Sequence, residues 1–150
     1  MAIRRDDFPL PDMNEPLTAP YFAGAARGEL VITYCEACAE YVWFPQATCP
    51  HCEGLLVWRP VSGRATLFSW ATVRRPFLPA FADAVPFVTA LVALEEDAAV
   101  RVVTYLVDAE PESLTADEPL QVTFRPLAFS TVPDKSVIVP MFERATVPAS

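Results

Sequence analysis

The chain is 150 residues long, 53% apolar and 20% charged, with 16 prolines, 4 glycines, 4 cysteines and one histidine. That length suits one domain or two small ones, and the apolar content supports a packed core and excludes a disordered chain. The net charge of −8 argues against nucleic acid as the main partner, because phosphate neutralisation by Lys and Arg supplies most of that affinity.

The charge is uneven. Residues 1–53 carry −5, 54–94 carry +3, 95–118 carry −7 and 119–150 carry +1, and no acid lies between Glu53 and Asp83. Proline at this density disfavours long helices, because an interior proline removes a hydrogen bond and clashes with the preceding turn. The most apolar run, Phe87–Leu94, is far shorter than the roughly 20 residues of a membrane-spanning helix, so no membrane role is expected. Met1 to Asp7 has charge but no apolar stretch behind it, which does not read as a secretory signal. The expected compartment is the cytoplasm, where thiols stay reduced.

Residues 1–17 are rich in proline and acid and read as an extended arm. A short helix is expected over about 19–27, with Thr18 able to cap it, Pro20 in its first turn and Gly28 past its end. Leu30 to Tyr34 and Tyr41 to Phe44 are β-branched and aromatic, and read as a hairpin whose turn carries two thiols. Beyond a boundary near Gly54 to Pro60, five strand-like runs follow: Ala65–Arg75, Phe87–Leu94, Val100–Asp108, Leu120–Phe129 and Ser136–Phe142. Leu67, Ser69, Ala71 and Val73 alternate with Phe68, Trp70 and Thr72, the period of two of a half-buried strand. Five short strands without a long helix predict a small closed barrel, for which the OB-fold is the common solution. The expected organisation is therefore mainly β: an arm at 1–17, a helix plus ribbon at 18–58, and a five-stranded OB-fold at 59–150.

Cys35-Glu-Ala-Cys38 and Cys49-Pro-His-Cys52 are two C-x-x-C pairs separated by ten residues, and they contain every cysteine in the chain. Each knuckle aims two sulfurs at one point, and two knuckles across a hairpin complete a tetrahedron around Zn²⁺. Iron in a rubredoxin-like site is an alternative, since thiolates accept both metals. Four protein ligands leave no open position, which makes the ion structural, and its binding free energy, about 10–16 kcal/mol in isolated finger peptides, is large enough to hold a module too small for its own core. His51 lies inside the second knuckle and reads as a bystander beside a filled shell. With the only histidine placed there, the chain alone assembles no Ser-His or Cys-His pair. The acidic groups Asp6/Asp7, Glu95/Glu96/Asp97 and Asp117/Glu118 sit in the arm or between strands and read as solvated turn residues.

The order of features resembles one known family. It runs from Pro20-Tyr21-Phe22 through Arg27-Gly28-Glu29-Leu30, Tyr34-Cys35-x-x-Cys38, Phe44-Pro45, Cys49-Pro50-x-Cys52 and Val61-Ser62-Gly63 to Phe68-Ser69, Pro86-Phe87-Val88, Leu94-Glu95-Glu96 and Val139-Pro140-Met141-Phe142. The resemblance, over residues 16–144, is to the domain-of-unknown-function family that joins an N-terminal helix and rubredoxin-like zinc ribbon to a C-terminal OB-fold. It implies a noncatalytic accessory subunit. Members accompany thiolase-like acyl-CoA enzymes, including lipid-transfer-protein-type aldolases of steroid side-chain degradation, archaeal thiolases and some acyltransferases; others accompany hot-dog-fold hydratases. Ala65 and Asp97 stand where the family carries glycine, which leaves the bends there less defined.

Two surface features bear on partner and ligand. The segment joining the first two barrel strands holds Phe77, Leu78 and Phe81, too apolar for a free loop; it reads either as a docking loop for a larger catalytic subunit or as a short helix, with Phe77 and Phe81 at i and i+4, folded onto its own barrel. Arg59, Arg64, Arg74 and Arg75, with Trp70 nearby, are candidates for the phosphates of coenzyme A, for single-stranded nucleic acid, or for plain strand ends around core aromatics. The leading expectation is an accessory subunit that stabilises a thiolase-like enzyme acting on acyl-CoA thioesters. A single-stranded nucleic-acid binder and an iron electron carrier are the alternatives.

Overall fold

Pro20 and Gly28 bracket the first element as their backbones require. The computed structural model describes residues 5–146, and in it helix α1 spans Ala19–Ala26, with Gly28 beyond its end at φ +79°. Thr18 occupies the N-cap position without a side-chain capping bond, its backbone being already helical in ψ at −15°. Gly24 is buried, and a Cβ there would stand 2.9 Å from Val31 Cγ2, so its missing side chain lets the helix lie close to the strand that follows. Ahead of the helix, residues 5–17 pass through successive turns instead of forming a free extended arm. Leu10, 1% exposed, packs with Ala80, Phe129 and Val132; burying the side chain removes its apolar surface from water and ties the segment down.

The ribbon is a three-stranded antiparallel sheet in the order β2-β1-β3, formed by β1 (Leu30–Cys35), β2 (Glu40–Tyr41) and β3 (Val57–Val61). The expected hairpin is thus one strand short. Five residues of β3 pair with β1 from Leu30↔Val61 to Tyr34↔Val57. Pro60 hid this strand, but at a sheet edge a proline costs no ladder bond. The division expected between 58 and 59 falls inside β3, and the ribbon sheet continues to Val61.

The barrel consists of β4 (Arg64–Val73), β5 (Phe87–Leu94), β6 (Arg101–Leu106), β7 (Pro119–Phe129) and β8 (Val132–Arg144). It closes in the order β4-β5-β6-β8-β7, with β4 pairing β7 and one parallel bridge, Leu106↔Phe142, between β6 and β8. This is the expected closed five-stranded barrel. Leu67, Val92, Leu120 and Phe142, all fully buried, fill it, and Leu30 and Ile32 of β1 join the same cluster. Ribbon and barrel therefore share one core. The eighth strand starts at Val132, four residues before expectation, because Val132 pairs with Phe129 and Pro133-Asp134-Lys135 bulges out before pairing resumes at Ser136↔Ala128.

Gly63, at φ +80°, turns the chain from ribbon to barrel, and a Cβ there would collide with the Val122 side chain. Ala65 pairs regularly with Leu94, and the irregularity of β4 falls later, between Leu67 and Ser69. Asp97 replaces a glycine by building its own turn: its carboxylate accepts from the Ala99 amide at 3.0 Å and its carbonyl accepts from the Val100 amide at 2.9 Å.

Candidate functional site

The four thiols are brought together by the ribbon's two tight turns. Cys35 ends β1, and Ala39, at φ 54°, returns the chain into β2; Glu53, at φ 60°, closes the second knuckle, which the Thr48↔Leu55 bridge anchors. Amides point at the sulfurs. Cys38 N–H donates to Cys35 Sγ, His51 N–H to Cys49 Sγ and Gly54 N–H to Cys52 Sγ, each at 3.4 Å. All four sulfurs lie within 4.8 Å of one another, with Cys35 to Cys52 at 3.5 Å and Cys38 to Cys49 at 4.0 Å. A tetrahedron with metal–sulfur bonds of ~2.3 Å has edges of about 3.8 Å, which these separations bracket.

The proton chemistry agrees with a cation site. Cys49 is pulled down to about 7, chiefly by the His51 amide. Cys38 is pushed up to about 12 by hydrogen bonding with Cys52 and Cys35. Cys49 ionises readily while Cys35 and Cys38 resist, a conflict that a central dication would remove. The donor set therefore has the arrangement that could hold one metal ion. His51 stays outside it, with Nε2 3.4 Å from Glu40 Oε1.

The carboxylates serve the surface. Glu95 pairs with Arg64 Nε at 2.6 Å, and Glu96 accepts from the Ser62 amide at 2.5 Å, pinning the ribbon-to-barrel turn. Asp108 and Glu143 both bind Arg125, and that guanidinium's hydrogen bond holds Asp108 below the ordinary carboxylate range.

The segment after β4 divides its aromatics. Phe77 is 92% exposed and Leu78 is 42% exposed, whereas Phe81 turns inward, 5.4 Å from Phe129 and 6.0 Å from Phe87 between ring centroids. Phe77 and Phe81 do not share a helix. Leu78 is extended, and the only helical turn there is a 3-10 turn at Pro79–Phe81. The four arginines also separate. Arg64 and Arg74 flank opposite ends of a strand of about ten residues, roughly 30 Å at 3.3 Å per residue. Arg64 is held by Glu95, Arg74 by Glu112 at 3.1 Å, and Arg59 lies 3.6 Å over the Tyr34 ring. Trp70, opposite the buried Ala90, packs against the barrel core. Arg59, Arg64 and Arg74 are thus each engaged by a different partner at a different place in the fold.

The family models for the ChsH2 rubredoxin-like zinc ribbon domain and the ChsH2 C-terminal OB-fold domain match residues 22–56 and 58–125. A DUF35 domain-containing scaffold protein of Methanothermobacter thermautotrophicus is 33% identical over 102 residues, covering 66% of this chain and 74% of that protein. The chain belongs to the DUF35 family. This DUF35 chain also superposes on a solved chain described as an Ltp2-ChsH2(DUF35) aldolase, at TM-score 0.75 and 29% identity, covering 91% of this chain and 100% of that one. A DUF35 protein of unknown function from Sulfolobus solfataricus, at TM-score 0.54, 13% identity and 89% coverage of both chains, shares the fold.

Sequence reasoning missed one surface of this DUF35 chain. Phe68 is exposed on β4, with the Arg101 guanidinium 3.8 Å over its ring, and Val103 on β6 is 73% exposed. The available signal was an absence: Ala65–Val73 and Phe87–Leu94 contain no charged residue. Among the described residues, no helix is long and apolar enough to cross a membrane.

Proposed function

We propose that this chain is a noncatalytic accessory subunit that binds and stabilises a thiolase-like enzyme acting on acyl-CoA thioesters in the cytoplasm. The observation that carries this reading is the match to the whole DUF35 chain of the Ltp2-ChsH2(DUF35) aldolase, a structure whose description pairs two proteins. The scaffold description of the Methanothermobacter relative points the same way. The chain's own chemistry supports it: its one histidine stands beside Glu40 on the ribbon surface, and four thiolates leave a metal no exchangeable position.

The metal is zinc, bound by Cys35, Cys38, Cys49 and Cys52, and its role is structural. Thiolates around a closed tetrahedron suit it, and the ion needs no redox partner. Phe77 and Leu78 contact the catalytic subunit, with Phe81 holding their loop in place. Where coenzyme A approaches the complex, Arg74 and Arg75, which lead into that loop, are the arginines that meet its phosphates; Arg59 and Arg64 lie elsewhere. Single-stranded nucleic acid is the weaker reading, because its four-arginine footprint is dispersed and largely engaged.

The test is co-expression with an Ltp2-type thiolase-like subunit from the same source. Co-elution as one complex, with thioester activity that neither chain shows alone, is the expected result. Turnover of a thioester by the solitary polypeptide would overturn the reading.

A further inference from the structure

The outer face of β4, β5 and β6 has an unusual makeup for a sheet facing water. Side chains alternate sides along a strand, and a sheet with one face on the core presents polar residues on the other. Here two cross-strand rows, Ser69–Leu91–Val103 and Ala71–Thr89–Tyr105, point away from the core and carry no charge. The contrast lies within the same barrel: around β7 and β8, Arg125 is paired with Asp108 and Glu143, and Arg144 with Glu118. A net charge of −8 is thus distributed so that one face receives almost none of it.

This face is concave. Val103 stands at the edge of three cavities of about 520, 350 and 190 Å³. The first two lie between the sheet and helix α1 and have Phe22 in their walls; the largest also has Phe44, 63% exposed, at its rim. Between the strands Arg101 lies flat on Phe68 and makes no ion pair among the described residues, while Arg5, Asp12 and Glu15 line the far wall of the largest cavity. Stacking satisfies the guanidinium's face and leaves its N–H donors free for an acceptor that comes from elsewhere.

Resting on the accessory-subunit reading above, we infer that this face, centred on Val103 and Arg101, is where the catalytic subunit docks, inserting apolar side chains beside α1 and placing a carboxylate on Arg101. The occupant is a different protein, not a second copy, on grounds of charge. A two-fold contact centred on Val103 would bring two Arg101 guanidiniums together across its axis. It would also join two chains of charge −8 each. Phe77 and Leu78, on the loop between β4 and β5, then form the rim of the interface and the sheet its centre.

The experiment uses the full chain and the co-expressed thiolase-like subunit. Val103→Glu places an unpaired charge at the centre and is expected to weaken the complex at least about 30-fold, while Arg101→Glu weakens it and Arg101→Lys largely retains it. Leu55→Glu, on the ribbon at 84% exposure, is the matched control and leaves affinity unchanged. Zinc content and thermal unfolding of all variants stay at the wild-type level, because both side chains are exposed. If the wild type binds and Val103→Glu binds equally well, this docking face is wrong although the accessory role stands. If the wild type itself fails to bind, the accessory role falls. A solitary wild-type chain that dimerises, with Val103→Glu monomeric by light scattering, would identify the occupant as a second copy and overturn the inference.

Discussion

Phe77→Ser and Phe81→Ser separate docking from folding, because the two rings lie on one short loop in opposite environments. Phe77 is 92% exposed, and losing it removes almost no folded contact; its stability cost is expected below about 0.5 kcal/mol, as for an ordinary surface change. Phe81 packs on Phe129 and Phe87 and seals the cluster that contains Leu10. Full burial of a phenylalanine is worth about 3–5 kcal/mol against alanine, and discounting for partial exposure leaves roughly 2–4 kcal/mol for Phe81→Ser. In urea titrations followed by tryptophan fluorescence, at a slope of about 1–3 kcal/mol/M, the Phe81 variant should shift its midpoint by about 0.7 M or more and the Phe77 variant hardly at all. Binding to the thiolase-like subunit, measured by calorimetry, should invert the order: Phe77→Ser loses about threefold to tenfold, a large exposed ring giving up its contact at the edge of the interface. Equal destabilisation by both substitutions, or full binding by Phe77→Ser, would refute the division of roles.

Three further outcomes follow from the geometry. Gly63→Ala should destabilise by about 2–5 kcal/mol, from a positive φ and a collision with Val122, whereas Gly28→Ala, with the same φ but open space around it, should cost only about 1–2 kcal/mol; urea unfolding of both variants checks the difference. Stripping the metal with a chelator should raise amide exchange across residues 35–55 while 30–33, packed on the barrel core, remain protected; exchange mass spectrometry reads this, and metal analysis should return one zinc per intact chain and almost none for Cys35→Ser. Asp108 has its folded value depressed by the Arg125 hydrogen bond, so its stabilisation is fully present above the ordinary carboxylate value and is lost as pH falls through the lower folded value. Asp108→Asn should therefore flatten the loss of stability in that acid range, measured as unfolding midpoint against pH.

What could be read from the chain and what could not divides along a physical line. The cysteine knuckles, the helix brackets at Pro20 and Gly28, and the five barrel strands are written in local chemistry: turn residues, ligand spacing and a period of two. Strand β3 was not legible because Val57 to Val61 is short and contains Pro60, and only its pairing with β1 makes it a strand. The start of β8 was obscured in another way: Pro133-Asp134-Lys135 reads as a turn and bulges out without a partner on β7, and only the Phe129↔Val132 pair ahead of it extends the strand. Phe77 and Phe81 look equivalent in sequence, and their separation depends on Leu10 arriving from seventy residues away to complete a cluster. The docking face is a fourth kind of case. Its signal was present as missing charge in β4 and β5, but absence points to a surface only after the register shows which side of each residue faces out.

The ribbon's two anchors explain what a metal held by the four thiols would add to this chain. The lower end of β1, Leu30 and Ile32, is held by the barrel core; its upper end, from Cys35, packs against a small cluster of Val42, Cys49, Leu56 and the sulfurs. A cluster of that size offsets little of the conformational entropy of ordering the two knuckles, and a metal's binding free energy would add to it. Holding that end rigid has a use beyond stability. Trp43 and Phe44 follow β2, and together with Tyr21 and Phe22 of α1 they wall the largest cavity beside Val103. A loosened ribbon would let that wall drift and would charge its re-ordering to every binding event. Metal loss should thus weaken docking through Phe44 and Trp43 even though no sulfur touches the partner, and replacing the thiols should mimic, at the interface, a substitution made directly in the aromatic wall.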